Sequence, residues 1–243
     1  MSETLPYFMY KGRRSIDYGL IIKKKSIYKG SQRDVTFVNV PGRDGDLIID
    51  NGRYKNTTIT YELAVVNGLT PWSFAELAQI LRSWLIPNTG YFKLWDTYDK
   101  QHFRYAAFNG DVNIEQELND LGAVSLDFNC KPHRYAVEGQ NVITMESGGD
   151  LYNGEAVSSE PYIKIYGSGD ITLTVNSETF VLEDVSGSIE IDSELMDVFK
   201  GSTLMNGSMM STSFPVLQPG MNTISWTGGS VSKIEIVPRW RCL

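Results

Sequence analysis

Apolar and polar side chains alternate along most of the chain. In residues 57–66, Thr-Thr-Ile-Thr-Tyr-Glu-Leu-Ala-Val-Val, apolar residues recur at nearly every second position. Successive side chains of a β-strand point to opposite faces of its sheet, so this alternation predicts a half-buried strand. The same pattern predicts further strands in the first half, at residues 33–40, 90–95, 103–108 and 123–130. Glycine-containing turn sequences are predicted between strands at residues 41–45 and 50–52.

One segment of the first half has the periodicity of a helix. Residues 73–76, Ser-Phe-Ala-Glu, form a capping box, in which the serine and glutamate satisfy backbone N–H groups at a helix start. A stripe of apolar residues follows at spacings of three or four: Phe74, Leu77, Leu81 and Trp84 or Leu85. Pro87 cannot continue a helix, so we predict an amphipathic helix that ends before it. We expect its aromatic stripe to pack against a sheet rather than to line a ligand pocket.

The second half has shorter alternating segments separated by Gly, Ser, Asn and Asp. These segments predict strands at residues 161–166, 170–175, 178–183, 188–192, 222–226 and 232–237. Glycines between them, such as those at 167–169, are predicted turns. Strands at this spacing indicate a β-sandwich. We therefore predict a mainly β protein with an N-terminal domain at residues 1–134 and a C-terminal β-sandwich at residues 135–243, joined near residues 132–139.

The formal charge of −7 conceals two unlike halves. Residues 1–134 carry 17 basic and 15 acidic side chains, whereas residues 135–243 carry 5 and 14. Surfaces that bind nucleic acid owe their phosphate affinity to many Lys and Arg, so the overall acidity argues against a dedicated DNA- or RNA-binding role. The acidic half is either a well-solvated β domain or an indication of a specialised surface.

Residues that carry catalysis or bind metals are scarce. The chain has two His and two Cys, and neither His102 nor His133 belongs to a zinc-binding pattern. We found no Gly-x-Ser-x-Gly elbow and no glycine-rich loop ahead of a helix. We therefore predict that the protein is not an enzyme and that it has no catalytic, cofactor-binding or metal-binding residues. The sequence shows neither a secretory signal nor an apolar run of roughly 20 residues, so we expect a soluble product with Cys130 and Cys242 reduced.

Two short segments are candidates for contact surfaces. Lys23-Lys-Lys25 follows an apolar strand pattern, and lysines on a strand edge commonly prevent unwanted sheet pairing. In an assembly the same lysines would oppose an acidic neighbour or line a path for nucleic acid. Five of the eight methionines lie in residues 196–221, which is typical either of an adaptable interface or of a loop with a few buried methionines.

The order of several motifs resembles a known protein family. They are Phe8-Met-Tyr-Lys-Gly12, Ser15-Ile-Asp-Tyr-Gly-Leu20, Val40-Pro-Gly-Arg-Asp-Gly-Asp-Leu47, Asp50-Asn-Gly-Arg-Tyr-Lys55, Trp84-Leu85 and Phe128-Asn-Cys-Lys-Pro132. This order resembles the distal tail protein (Dit) family of long-tailed, non-contractile phages that infect Gram-positive bacteria. The Pro-Gly-Arg-Asp-Gly-Asp turn is its most specific element. In the second half, residues 217–226 and 238–243 are more loosely similar.

The resemblance implies a structural virion protein. The N-terminal domain, a β-sandwich with one helix and a protruding hairpin, would form a hexameric ring at the distal end of the tail. The C-terminal domain, similar to galectins and carbohydrate-binding modules, would project outward. The ring would join the tail tube protein to the tail-tip fibre or lysin protein and to the receptor-binding protein, while DNA passes transiently through its channel.

Other expectations follow from the same resemblance. The protein would be assembled in the host cytoplasm and located at the virion tail tip, without a membrane or a cofactor. The alternative function is a carbohydrate-binding adhesion module that acts on host cell-wall polysaccharide through the C-terminal domain. For that role the candidate sugar-stacking residues are Tyr152, Tyr162, Tyr166 and Trp226. Packing inside the sandwich is the other interpretation of these aromatics.

Cyclic assembly requires one surface of a subunit to meet a different surface of its neighbour. A hairpin that adds to the neighbour's sheet would provide such a contact. We expect this hairpin to pair residues 23–28 with residues 34–40, beside the turn at 41–46. The predicted subunit-interface residues are Lys23, Lys24, Lys25, Tyr28, Val40, Pro41, Gly42, Arg43, Asp44, Gly45 and Asp46. Arg43, flanked by Asp44 and Asp46, would make a charge-assisted contact with another subunit. The other interpretation is that the aspartates bond the backbone of their own turn, and both can hold together.

Overall fold

The computed structural model describes residues 5–26, 30–66, 69–110 and 123–243. The chain divides into two compact units: unit 1 comprises Met1–Arg134 with Leu243, and unit 2 comprises Tyr135–Cys242. Both units are built mainly of β-strands, which confirms the predicted fold class. The ring-forming and projecting roles of the two domains stay predictions.

Unit 1 contains a curled antiparallel sheet, a helix and a separate hairpin. Its elements in chain order are β1 (Phe8–Tyr10), β2 (Arg13–Arg14), β3 (Leu20–Lys25), β4 (Arg33–Val38), β5 (Leu47–Tyr54), β6 (Thr57–Val65), α1 (Phe74–Leu85), β7 (Phe92–Asp96), β8 (Asp99–Phe108) and β9 (Ala123–Ala136). The sheet order is β2-β1-β7-β8-β9-β6-β3. The sheet curls until β3 meets the segment ahead of β1, where the Ile22 N–H donates to the Pro6 carbonyl at 2.8 Å.

Helix α1 has the start and the buried face that its sequence predicts. The Ser73 Oγ accepts from the Glu76 N–H, and the Glu76 carboxylate accepts from the Ser73 N–H at 2.8 Å, so the capping box is confirmed. The helix ends at Leu85, two residues before Pro87. Its buried residues are Leu77, Ala78, Leu81, Trp84 and Leu85. Burying each leucine contributes about 2 kcal/mol, so the helix is held mainly by this face.

Aromatic rings from the helix and the sheet meet in the core of unit 1. The Phe8 ring stacks on the Trp84 ring at 5.6 Å and on the Tyr61 ring at 5.0 Å. Phe128 meets Phe8 edge-on at 5.5 Å. The Trp84 indole N–H also donates to the Tyr10 carbonyl at 2.9 Å. The aromatic stripe of the helix is therefore core, as predicted.

The hairpin of unit 1 pairs different strands from those predicted. Strand β4 pairs with β5, and the register places Phe37 opposite Ile48. The lysine-bearing strand β3 pairs instead with β6 in the main sheet, so the predicted pairing of residues 23–28 with 34–40 is wrong. The turn between β4 and β5 reverses the chain through Gly42 and Gly45, whose φ angles are +80° and +78°. A reversal at this point pairs the strands that flank it.

The turn predicted at residues 50–52 is wrong, because these residues belong to strand β5. The chain runs through Asp50 and Gly52 as strand, with a register shift opposite Arg33 and Val35. Gly52 has a φ of +73°, and its N–H donates to the Asp50 carboxylate at 2.8 Å. These are the features of a β-bulge, which uses the same residue types as a turn.

Unit 2 is built around long strands that bend. Its elements are β10 (Ile143–Met145), β11 (Gly149–Asn153), β12 (Tyr162–Val175), β13 (Glu178–Asp192), β14 (Asp197–Lys200), β15 (Thr203–Leu204), β16 (Gly220–Val237) and β17 (Arg241–Cys242). The sheet order is β10-β16-β12-β13-β14-β15, and β11 also pairs with β16. Each of β12, β13 and β16 merges two segments that the sequence pattern predicts as separate strands.

Glycines produce the bends, so the turns predicted inside these strands are wrong. The β12–β13 register continues through Gly167 opposite Gly187 and shifts beyond Gly169. Gly228 in β16 has a φ of +74°, and a Cβ there would lie 2.5 Å from the Asp170 carbonyl oxygen. Glycine allows both the positive φ and the close approach of two backbones.

The bends fold the sheet of unit 2 over one core. Inward residues on both sides of the bends, such as Ile163 and Ile165 on one side and Leu173 and Val175 on the other, belong to a single buried cluster. Unit 2 is therefore a two-layered β-sandwich, as predicted.

Among the described residues of the chain, no helix is long and apolar enough to span a bilayer.

Candidate assembly surfaces

The base of the β4–β5 hairpin is held by ion pairs. Arg33 donates to the Asp50 carboxylate through two nitrogens, with N–O distances of 2.7 and 3.0 Å. Asp34 accepts from Arg53 at 2.7 Å and lies 3.4 Å from the Lys55 ammonium. The guanidinium of Arg33 lowers the pKa of Asp50, and that of Arg53 lowers the pKa of Asp34. The base is therefore polar, and its two strands are joined by ion pairs.

The outer part of the hairpin is apolar on both faces. Cross-strand partners lie on the same face of a β-ladder, so Phe37 and Ile48 share one face, and Val38 and Leu47 share the other. Phe37 and Ile48 are each 61% exposed, and Ile49 is 45% exposed. A two-stranded ribbon has no core of its own and is marginal in water. Contiguous exposed apolar residues of this kind mark an interaction surface.

The loop that joins β4 to β5 carries most of the predicted interface residues. Val40, Pro41, Gly42, Arg43, Asp44, Gly45 and Asp46 are all exposed. The Arg43 N–H donates to the Val40 carbonyl at 3.1 Å, which closes the turn. The structure therefore gathers these seven residues at the end of the apolar ribbon. Their role in a subunit interface stays a prediction.

The three predicted lysines of the interface have different environments. Lys23 and Lys24 are exposed, and Lys24 forms a 3.3 Å pair with Glu62, which is also exposed. A register shift between Ile22 and Lys24 breaks the alternation. Lys25 is only 11% exposed and forms a 2.5 Å ion pair with Asp96. Lys25 is therefore part of the interior and does not lie on a lysine-guarded edge. Tyr28 lies outside the described residues.

The Lys25–Asp96 pair belongs to a buried polar cluster that sequence reasoning missed. The Tyr61 hydroxyl donates to Asp96 at 2.6 Å, and the backbone N–H groups of Tyr98 and Asp99 donate to its other oxygen. Burial, followed by the Asp96 carboxylate, raises the pKa of Tyr61 well above its ordinary value. Both carboxylate oxygens have partners, so the pair satisfies the requirement for a buried charge.

A small cavity beside this cluster is lined by charged side chains of unit 1. Asp99 contacts His102 at 3.0 Å and Arg134 at 3.1 Å. Burial tends to raise the pKa of Asp99, but His102 and Arg134 outweigh burial and lower it. Lys25 and Asp96 line the same cavity. Asp96, Asp99 and His102 are close in the sequence, but Lys25 and Arg134 are distant from them, and only the fold brings all five to one cavity.

Two of the candidate sugar-stacking residues are engaged with charged neighbours. The Tyr162 hydroxyl donates to Glu190 at 2.7 Å, and burial together with Glu190 raises the pKa of Tyr162. The Tyr166 hydroxyl donates to Glu235 at 2.9 Å. The Lys233 ammonium lies 4.5 Å from the centre of the Tyr166 ring. A sugar would have to displace this cation–π contact in order to stack there.

The other two candidates differ in exposure. Trp226 is half-buried and packs against the core of unit 2. Tyr152, on strand β11, is 68% exposed and lies opposite Met221, which is 63% exposed. Tyr152 is therefore the candidate with the most accessible ring. Sugar binding by these residues stays a prediction.

The chain matches no protein-family model and no curated protein. Its fold is similar to the crystal structure of the SPP1 Dit protein (gp 19.1), with a TM-score of 0.72 and 12% sequence identity. The similarity covers 96% of this chain and 98% of that one. The SPP1 protein is described as a paradigm of the hub adsorption apparatus in phages that infect Gram-positive bacteria. The predicted resemblance to the distal tail proteins is thus confirmed at the level of fold.

Proposed function

We propose that the protein is a hub at the distal end of a phage tail. The observation that carries this proposal is the match of the whole chain, through both units, to a phage hub protein. Fold alone does not fix function, so a feature of this chain must also suit the role. The β4–β5 hairpin is that feature, because its exposed apolar residues require a partner.

In this proposal six copies form a ring through their hairpins. Each hairpin contacts a neighbouring copy, and because the hairpin and its docking surface differ, the contacts are heterologous, the kind from which closed rings are built. One face of the ribbon carries Phe37 and Ile48, and the other carries Leu47. Burial of one face alone would therefore leave apolar surface in water. The tip loop at residues 40–46 would then set the orientation through Arg43 and its neighbouring carboxylates.

The remaining parts of the proposal concern partners and place. The ring joins the tail tube protein on one side to the tail-tip fibre or lysin protein on the other, at the tip of the virion tail. Unit 2 serves the receptor-binding machinery. DNA passes through the central channel without being held, which agrees with the net charge of −7 of the chain. The protein has no catalytic role, and zymography on host cell walls would reveal one if it existed.

A double variant of the hairpin tests the proposal. Phe37→Ser with Ile48→Ser removes apolar surface that is already exposed, so unit 1 should keep its fold. Sedimentation should give a mass near six subunits for the wild type at high concentration, alone or with tube protein, and a monomer for the variant. Leu204→Ser is the matched control, because Leu204 is 57% exposed but lies in unit 2. Equal assembly of the hairpin variant and the wild type would refute the role of the hairpin.

A carbohydrate-binding module is the second candidate function, and the exposed Tyr152 ring favours it. Tyrosine rings stack on the apolar faces of sugars. Titration of host cell-wall polysaccharide onto the full chain, followed by calorimetry, tests this function directly. Binding that is lost in Tyr152→Ala would support it, and the absence of binding at millimolar sugar would remove it.

A further inference from the structure

The two layers of unit 2 differ in charge. One layer consists of strand β11 together with residues 171–175 of β12, 178–183 of β13 and 220–226 of β16. We call it the acidic layer. No Lys, Arg or His occurs in residues 146–153, 168–187 or 209–231, which build this layer and its loops. The same stretches contain the carboxylates Glu146, Asp150, Asp170, Glu178, Glu183 and Asp184. Each of these six residues is exposed.

Cations of unit 2 form ion pairs with carboxylates outside the acidic layer. Lys164 on β12 pairs with Glu190 at 3.0 Å, and Lys233 on β16 pairs with Glu235 at 2.6 Å. Near the C-terminal end of β16, Arg239 holds Asp192 through two nitrogens at 2.6 and 2.8 Å. All five cations of unit 2 therefore lie outside the acidic layer, where they offset most of the eight carboxylates found there. The acidic layer has no cation to offset its six carboxylates, and its field favours a cationic partner.

The acidic layer also offers an apolar contact at one edge. Tyr152 and Met221 are direct cross-strand neighbours, and both point outward because Leu151 and Asn222, the adjacent residues in each strand, are buried. Tyrosine and methionine are enriched where proteins bind one another, because the rigid tyrosine ring buries a large area at low entropic cost and the flexible methionine adapts to its partner. The two side chains give the face an anchor that charge alone would not provide.

Strand β11 carries the backbone groups that an extended chain would need. Within the described residues, β11 is paired with β16 on one side, and no other strand pairs with it. It spans Gly149–Asn153, with Asp150 and Tyr152 on the outward face. Such an edge pairs readily with an incoming strand, whose alternate side chains then contact the same face.

We propose that the acidic layer binds an extended, Lys- or Arg-bearing segment of a partner protein, which adds to the edge of β11. Tyr152 and Met221 contact its apolar side chains, while Asp150 and the neighbouring carboxylates face its cations. The same charge disfavours phosphate-bearing wall polymers, so the occupant is a protein rather than an anionic polysaccharide. This inference goes beyond the hub proposal and holds whether or not unit 1 forms a ring.

Selection from a library of random twelve-residue peptides tests the proposal with the full-length protein as bait. The enriched peptides should have a net positive charge and apolar residues at alternate positions. Their affinity, measured by fluorescence anisotropy, should fall at least tenfold in Tyr152→Ala with Met221→Ser and severalfold when salt rises from 50 to 300 mM (about the range in which exposed charges become screened). Amide shifts of labelled protein should be largest in Gly149–Asn153.

Leu204→Ser is the control for loss of an exposed apolar side chain on the opposite layer, and it should bind like the wild type. The proposal is overturned if no peptide is enriched, or if the enriched peptides are neutral or acidic. Equal binding to the wild type and the Tyr152/Met221 variant would overturn it too. So would a preference of the same face for cell-wall polysaccharide over every peptide. Failure of ring assembly has no bearing on these outcomes, so the two proposals can fail separately.

Discussion

The β4–β5 hairpin of unit 1 and the long strands of unit 2 use similar residues in opposite ways. Both contain alternating β-branched and apolar residues and glycines with positive φ. In unit 2 the glycines bend the strands until their apolar faces meet, and residues such as Ile165 and Leu173 are fully buried. In the hairpin the chain turns only once, and Phe37 and Ile48 stay exposed.

The difference shows what a strand pattern leaves open. Alternation predicts that a segment will be a strand, but the surface that covers its apolar face depends on distant residues. Unit 2 supplies that surface itself, whereas the hairpin does not. A region that leaves apolar residues uncovered in this way is where a partner is expected. The following predictions test the internal supports of each unit and then the exposed hairpin.

The largest effect is expected at the buried ion pair of unit 1. Lys25→Met leaves Asp96 charged, buried and without its cation, which should cost about 3–5 kcal/mol of unfolding free energy. Lys24→Met is a matched control one residue away, because its pair with Glu62 is exposed and worth less than about 1 kcal/mol. Urea unfolding measures the stability loss of each variant, and hydrogen exchange of peptides from each unit shows which unit is weakened. Equal effects of the two variants would contradict the burial of Lys25.

A smaller effect is expected at the bend of unit 2. Gly187 and Gly228 have φ angles of +77° and +74°, so alanine at either position costs about 1–2 kcal/mol of backbone strain. A Cβ at Gly187 meets nothing within 4 Å, whereas one at Gly228 clashes with the Asp170 carbonyl. Gly228→Ala should therefore lose about 1–3 kcal/mol more than Gly187→Ala. Thermal unfolding measures the stability of both variants. Equal losses of unfolding free energy would mean that the strands do not approach closely at the bend.

Acid should weaken unit 2 through Asp192. Burial alone would raise the pKa of Asp192, but the Arg239 guanidinium and two backbone N–H groups outweigh burial and lower it. The unfolded pKa is near 3.9, so the stabilisation is complete above about pH 4 and is lost as the pH falls through the lower folded pKa. Charge-assisted hydrogen bonds of this kind contribute about 1.5–3 kcal/mol.

Unfolding of unit 2 between pH 5 and pH 2 measures this contribution. Asp192→Asn should be less stable than the wild type at pH 6 and should show a shallower loss of stability on acidification. Glu183→Gln is the control, since Glu183 is exposed on the acidic layer. Parallel pH curves for Asp192→Asn and the wild type would contradict the assignment.

The smallest effect is expected at the start of helix α1. Ser73→Ala removes one half of the capping box and should cost about 1 kcal/mol. Ser83 lies in the same helix, and its hydroxyl donates to the Ile80 carbonyl of the preceding turn, so Ser83→Ala should be nearly neutral. Helix unfolding followed by circular dichroism compares the two. A Ser73 variant as stable as the Ser83 variant would show that the cap does not stabilise the helix.

Local features were the ones that sequence could predict. The capping box, the apolar stripe of α1 and the strand segments of both units depend on neighbouring residues, and all lie where predicted. The candidate surfaces were harder. Lys25 looked like its exposed neighbours, but a register shift in β3 turned it toward Asp96. Glycines at turns and at bulges have the same residue signature, so the pattern divided β12, β13 and β16 into short strands.

We propose that this chain assembles into a ring through its hairpin. Negative-stain electron microscopy of the purified protein, alone and mixed with its tail tube protein, tests it most directly. We expect six-fold rings with a central opening, which disappear in the Phe37→Ser and Ile48→Ser double variant. Single particles the size of a monomer at every concentration, with and without the tube protein, would contradict it.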